Sequence, residues 1–420
     1  MVFNVINIED LLYLVSSGLC RERKKLKRGT LLFGFILIAL IVSPIFLVIW
    51  NFGVDEQQSE PEFFVGVEYA VDNHSVEDCK SLVDRVKNFT NFFVVDSLGI
   101  TLDIDNLNEV CDYVHDSGLY FIVFFISPLY RVGDYFVFRY NYYPNLWILK
   151  AKQKYCDKFL GGYVMDEPGG NQLDEGSFQL VKEAKDQAEA AERWIDMLEI
   201  HIDQYSFLRT YEDYIILTSD YGLYWFDYKA GYDAILAEFG WNHSRPLHVA
   251  LCRGAAKVQN RDWGVMVTWT YNGTPYIAPG NELYDDLKVA YHNGAKYAVI
   301  FDHPDTEYSD YGILTEEHFD ALENFWNYVN NNPDRHGTEK ADVAYVLPEN
   351  FGFGFRSSDD NIWGLWSADA YGRTEKIWGD VNQLLDQYGS RLDIVYSDPE
   401  FDDNLQRHYD KLFFWNETLN

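Results

Sequence analysis

The chain has 420 residues, 47% of them hydrophobic and 17% aromatic, which is enough to bury one large core and a smaller second one and excludes a disordered protein. Its 34 Lys and Arg stand against 66 Asp and Glu, a formal charge of −32. So much like charge repels nucleic acid and argues against a DNA- or RNA-binding role.

Residues 1–30 form a short basic N-terminus that carries RERKKLKR immediately before an apolar run. That run, residues 31–50, reads LLFGFILIALIVSPIFLVIW and holds no charge. At a rise of about 1.5 Å per residue, it is long enough to cross a hydrocarbon core about 30 Å thick. Basic residues before it and Asp55, Glu56 and Glu60 after it place the N-terminus in the cytoplasm and the acidic remainder outside the cell. A cleavable signal peptide is the competing reading, but the run starts late and is longer than an h-region. Sequons at Asn73, Asn88, Asn242, Asn272 and Asn416 are compatible with an exported, glycosylated protein.

Residues 51–61 are a polar spacer. From 62 to 331, short β-rich runs alternate with amphipathic stretches, the signature of βα units around a parallel sheet. Eight runs are expected as strands, at 63–69, 91–97, 119–127, 160–166, 214–219, 234–238, 264–270 and 297–302. Helices are expected at 75–89, 103–116, 143–158, within a long excursion from 177 to about 208, and at 246–258, 282–293 and 315–331. The connection 220–233 leaves little room for a helix. This pattern predicts an α/β fold of the (β/α)8 TIM-barrel type. A turn-rich linker at 332–339 leads to residues 340–420, read as a small Rossmann- or flavodoxin-like α/β piece. Its strands are expected at 342–347, 392–396 and 411–415, around a helix at 376–388. It lacks a G-x-G-x-x-G fingerprint, so no dinucleotide is inferred.

The five cysteines show no metal-type spacing, and P-loop, nucleophile-elbow, zinc-protease and EF-hand patterns are absent, so no metal and no cofactor are expected. Cys79 and Cys111 fall on consecutive helices, either bridged or buried as thiols.

Chemistry is expected where barrel strands end. The fourth run closes in GGYVMDEP, with Asp166 and Glu167 side by side, and Glu167 is expected to meet substrate. The sixth ends in AEFGWN, with Glu238 close to Trp241. Glycosidic cleavage needs two carboxyl groups, one to protonate the leaving oxygen and one to attack or to activate water. Glu167 and Glu238 are therefore the catalytic candidates. Gly169 and Gly170 would let a substrate approach the backbone. Glu68, Asp96 and Asp302 end the first, second and eighth strands and are expected with Asp166 in the substrate mouth. The loop 130–147, Tyr221, Trp225, Trp241, Trp269 and Tyr271 are expected to stack on sugar faces. Arg131, Arg139 and Arg253 either bind an acidic sugar or neutralise the acidic surface.

Glu167 at the end of the fourth strand, in a barrel with aromatic loops, resembles the acid/base position of clan A glycoside hydrolases. The region from Asp342 to Trp415 resembles the Rossmann-like trimerisation domain that follows the barrel in some β-galactosidases. The resemblance implies a hydrolase acting on a glycan, which the apolar run 31–50 would anchor in the membrane with its barrel outside the cell; homo-oligomers through the C-terminal piece are a further expectation. That clan carries its nucleophile at the end of strand seven, where this chain has Thr268, Trp269, Thr270 and Tyr271. Either Glu238 substitutes from strand six, or the chain is another kind of barrel hydrolase, or it is an inactive carbohydrate-binding or cell-envelope protein.

Overall fold

A computed structural model describes residues 61–419 except 71–74, 133–134, 175, 177–178, 207–213, 305 and 307. Among the described residues no helix is long and apolar enough to cross a membrane. The expected N-terminus, the span at 31–50, nearly all of the spacer and the sequon at Asn73 lie outside them. Of the described residues, 62–147 with 158–419 form one compact unit, and 61 and 148–157 fall in another. The first of these holds the barrel strands and everything that follows them.

The barrel strands are β1 (Phe64–Ala70), β2 (Phe92–Asp96), β3 (Tyr120–Phe125), β6 (Phe159–Val164), β7 (Ile215–Asp220), β8 (Ala234–Phe239), β9 (Asp262–Val267) and β10 (Tyr297–Asp302). They close in the order β1-β10-β9-β8-β7-β6-β3-β2, with every pairing parallel. This is the (β/α)8 barrel that the alternation of runs implies. Helices α1 (Val76–Val86), α2 (Leu98–Thr101), α3 (Ile104–Asp116) and α4 (Pro144–Tyr155) come first. They are followed by α5 (Pro168–Leu173), α6 (Gln187–Ser206), α7 (Tyr224–Ala230), α8 (Arg245–Val258), α9 (Gly280–His292) and α10 (Glu316–Asn331). Local chemistry sets several of the helix starts: the Ser75 side chain accepts from Asp78 N, and Asp103 accepts from Asp105 N and Asn106 N.

Two expectations change. The connection after β7 does fold into a helix, the seven-residue α7, because Leu223 and Gly231 take left-handed conformations that open and close one compact turn pair. The aromatic loop after β3 is partly an antiparallel hairpin, β4 (Leu129–Val132) with β5 (Tyr135–Phe138). Cys79 and Cys111, on α1 and α3, are buried thiols.

Strand alternation decides which side chains fill the barrel. Phe64, Phe92, Val94, Tyr120, Ile122, Phe124, Leu217, Leu236, Met266, Tyr297 and Val299 form its core. Two residues further along β2, β7 and β8, and four further along β1, the same face carries Asp96, Ser219, Glu238 and Glu68. The β3–β6 register shifts between Phe121 and Ile122, which carries β6 past Leu160 and turns Tyr163 inward.

After the barrel, β11 (Val343–Leu347), α11 (Thr374–Tyr388), β12 (Leu392–Tyr396), α12 (Asp402–His408) and β13 (Lys411–Phe414) give a three-stranded parallel sheet in the order β12-β11-β13. α8 lies against β12, with Gly254 allowing the approach: a Cβ there would stand 2.7 Å from the Ile394 carbonyl oxygen.

Candidate active site

The segment after β6 leaves the sheet under strain. Met165 and Glu167 have φ of 59° and 46°, left-handed values that side chains other than glycine rarely adopt. The backbone is held there from both sides. Glu167 N donates to the Ser219 carbonyl at 3.2 Å, and its own carbonyl accepts from Asn171 N and Nδ2, each at 2.9 Å. Asp220, fully buried at the end of β7, receives Gly169 N at 2.5 Å, Gly170 N at 2.9 Å, Tyr221 N at 2.7 Å and Gly222 N at 3.1 Å.

The glycine pair therefore serves packing, not substrate approach. A Cβ on Gly170 would lie 2.1 Å from the Tyr221 ring, and one on Gly169 would lie 2.5 Å from the Gly222 carbonyl oxygen.

This arrangement brings Glu167 and Glu238 to one mouth, where each carboxyl acts on the other. Ser219 Oγ is the hub behind them. It donates to Glu238 Oε1 at 2.7 Å, lies 2.8 Å from the Tyr163 hydroxyl and approaches Asp166 Oδ1 at 3.4 Å. Tyr163 also donates to Asp166 Oδ1. Asp166 is exposed as a residue while this oxygen faces inward; Glu167 is half-buried and Glu238 is 3% exposed. Water thus reaches the pair from the Asp166 and Glu167 side.

Glu68 on β1 completes the group. It interacts with Asp96, itself 9% exposed on β2, and its Oε1 has no hydrogen-bond partner. Burial, then the charges of Asp166 and Glu167, raises the Glu68 carboxyl to about 8 against a lowering bond from Asp96. Burial and Asp166 also push Glu167 to about 8, and burial and Glu167 hold Glu238 well above the usual carboxylate range. Because Glu167 and Glu238 act on one another, their protonation is a property of the pair.

Other expected members stand elsewhere. Asp302 turns to the outer face of β10, as the inward Tyr297 and Val299 require. There Oδ1 accepts from Ile313 N at 3.0 Å and Leu314 N at 3.3 Å, so this carboxyl pins a loop. Trp225 is 2% exposed and packs on Tyr396 and Phe401 of the C-terminal region, which removes it from the mouth. Arg253 reaches no sugar-facing surface and is buried against Asp393. Arg139 lies over the Tyr130 ring, 4.4 Å from its centroid; the side chain of Arg131 lies outside the described residues.

Of the aromatic residues, Trp241 and Tyr271 are exposed and Trp269 is half-buried against Phe301, 5.3 Å between ring centroids. Tyr221 is buried. Its hydroxyl donates to Asp174 Oδ2 at 2.8 Å, and Arg356 of the C-terminal region pairs with Asp174 and holds Asp360, with Nε to Oδ2 at 2.9 Å. The Tyr221 ring also faces His243, which burial keeps neutral by lowering it to about 4.

Reading the sequence strand by strand missed Tyr163, Ser219, His243, Asp174 and Arg356. For Ser219 the signal was present, since Ile215, Leu217 and Ser219 share one face of β7. A broad hollow between α9 and α10, lined by residues such as Tyr284, Asp285, Glu317 and Asp320, lies on the outer helical wall and includes none of these groups.

No protein-family model matches the chain, and no curated protein does. Solved structures with a similar fold include an O-GlcNAc hydrolase of Thermobaculum terrenum, 9% identical, covering 66% of this chain and 62% of that one, with a TM-score of 0.40. A spore coat polysaccharide biosynthesis protein of Bacillus subtilis is 10% identical over 67% and 71% of the two chains, with a TM-score of 0.38. A family 1 β-glucosidase of Thermotoga maritima is 10% identical over 65% and 99%, with a TM-score of 0.37. The likeness is one of barrel architecture, and the chemistry of this mouth rests on its own residues.

The raised carboxyls make stability depend on pH in a defined direction. Glu68, Glu167 and Asp302 near 8 and Asp220 near 7 stay protonated in the folded state where the unfolded chain has already ionised, from the ordinary 3.8 to 4.5 upward. The folded state then holds more protons, so stability is fully present below that range and is lost as pH rises towards 8. Thermal melts should show the melting temperature falling between pH 5 and pH 8, and Glu68→Gln should flatten the fall. A melting temperature that stays level or climbs over this interval would contradict the placement of these groups.

Proposed function

We propose that the protein is a glycoside hydrolase, anchored by residues 31–50 with its barrel outside the cell, in which Glu167 is the general acid/base and Glu238 its partner. The observation that carries this reading is that Glu167, half-buried, and Glu238, buried behind it and held by Ser219, meet at one mouth and act on one another. Inverting enzymes hold their carboxyls about 6.5–9.5 Å apart to admit a water, whereas retaining enzymes hold them at about 5–5.5 Å. Two carboxyls that act on one another suit the closer spacing, so we assign them the retaining route. Glu238 then attacks the sugar, Glu167 protonates the departing oxygen, and the pair parts as substrate enters. Ser219, donating to Glu238 Oε1, supports the ionised form that attack requires. Asn88, Asn242, Asn272 and Asn416 are all exposed, which suits glycosylation outside the cell.

The test is a glycan panel offered to the full chain in detergent micelles, with product anomers followed by NMR. Release of sugar with retained configuration supports the proposal; inverted product, or none from any glycan, removes it.

The burial of Glu238 favours a second reading, a glycan-binding protein of the cell envelope without turnover. Under it, glycan affinity falls about tenfold or more on Trp241→Ala or Trp269→Ala, as loss of a stacking ring would cause at roughly 1 kcal/mol or more each. Affinity is then indifferent to Glu167→Gln. Oligomers built through residues 340–420 are a separate expectation, to be read by light scattering of the full chain.

A further inference from the structure

We propose that the mouth is built for a positively charged sugar: the glycan it takes carries free amino groups, with one ammonium seated between Glu68, Asp166 and Glu167. This deepens the glycan reading above and rests on it.

Three observations lead to an ammonium. Glu68 is 1% exposed and its Oε1 has no hydrogen-bond partner, although the groups acting on it are Asp96, Asp166 and Glu167. A buried carboxyl oxygen left without a donor costs free energy unless a ligand supplies one. Second, the groups that act most on Glu68, Asp166, Glu167 and Glu238 are other carboxyls, Tyr163 and Ser219. Three well-buried arginines are committed elsewhere: Arg245 to Asp286, Arg356 to Asp174 and Asp360, and Arg253 to Asp393. Third, β1 pairs Glu68 with Phe301, whose ring meets Trp269, so aromatic side chains stand on the strand next to Glu68. Ammonium beside aromatic faces and carboxylates is favoured by both.

The same arrangement excludes uronic, sialic or sulfated sugars, whose anions would meet only like charge. A neutral sugar hydroxyl would fill one lone pair of Glu68 and leave the crowding of acids unrelieved. An ammonium supplies up to three donors together with the missing charge. Its arrival ionises a carboxyl that is protonated in the empty mouth, so one proton leaves to solvent for each amine bound.

The experiment is calorimetric titration of the full chain in detergent micelles at pH 6, in 0.3 M salt to screen the acidic surface. The probes are a glucosamine hexamer and its fully N-acetylated counterpart, each in two buffers of different ionisation enthalpy. The amine hexamer should bind at least tenfold more tightly and release a proton on binding. Glu68→Gln, or Asp166→Asn at the exposed edge, should reduce that preference to within about twofold. Equal or tighter binding of the acetylated hexamer, binding of neither hexamer, or a preference that survives both substitutions and so belongs to the general surface charge, would overturn the proposal. Reducing-end release is read separately. Cleavage of a neutral glycan alone leaves the hydrolase standing and sinks the amine site, whereas amine-selective binding without cleavage does the reverse.

Discussion

Glu167→Gln should lower turnover of a susceptible glycan by about 10² to 10⁴-fold, the range that a positioned proton donor supplies. The amide is isosteric, and the contacts that hold residue 167 in its left-handed conformation are made by its main chain, to Ser219 and Asn171. The variant therefore keeps its fold and loses only the proton. Removing a buried titratable group also removes part of the cost of ionising it, so the melting temperature at pH 8 should be unchanged or higher. Glu238→Gln should be equally damaging, because the amide can neither attack nor share a proton. The pH profile separates this pair from an ordinary carboxyl. Burial raises both groups, joined by the charge of Asp166 at Glu167 and by the charge of Glu167 at Glu238, so the competent form, holding one proton between two glutamates, persists to higher pH than a lone carboxylic acid near 4.5 would allow. Activity should peak near or above neutrality and fall as the second proton is lost. Full turnover by either variant, or an optimum at pH 4 to 5, would sink the assignment.

Much of this site was legible in the chain because a barrel strand carries its own coordinate system. Hydrophobic runs fixed all eight strands to within a few residues, and their ends named Glu68, Asp96, Glu167 and Glu238 before any contact was known. What went astray was parity. Asp302 follows Phe301, and with Tyr297 and Val299 pointing inward an even-numbered neighbour must point out, a deduction available from alternation but overridden by the attraction of a carboxylate at a strand end. The meeting of Glu167 with Glu238 was not legible, since it depends on two left-handed residues and on a register shift in β6 that no local pattern announces. Trp225 and Arg253 were misplaced for a common reason. Trp225 was expected at the ligand and Arg253 either at an acidic sugar or on the acidic surface, while the partner that buries each, Tyr396 or Asp393, lay more than a hundred residues further on.

That long-range partnership predicts the largest stability effect in the molecule. Arg253 of α8 donates through Nε to Asp393 Oδ1 at 2.8 Å and through Nη1 to Asn293 Oδ1 at 2.5 Å and the Glu339 carbonyl at 3.2 Å. Nη2 donates to the carbonyls of Ser390 at 2.6 Å and Leu392 at 3.2 Å. All five N–H groups of the guanidinium are thereby used. Asp393, with no exposed surface, takes Tyr409 on its other oxygen at 2.8 Å. Arg253→Met fills much of the volume but strands a buried carboxylate and three carbonyls, for an expected loss of about 3–5 kcal/mol in unfolding free energy by denaturant titration. The double variant Arg253→Met, Asp393→Leu removes the stranded charge along with its partner and should recover most of that loss, as replacement of buried ion pairs by apolar side chains commonly does. A single variant within about 1 kcal/mol of the parent would mean that α8 and β12 are not joined in this way. A double variant as unstable as the single one would mean instead that the cost lies in the orphaned carbonyls of residues 339, 390 and 392, and that the arginine acts there chiefly as a clamp on the main chain and only secondarily as a counter-charge.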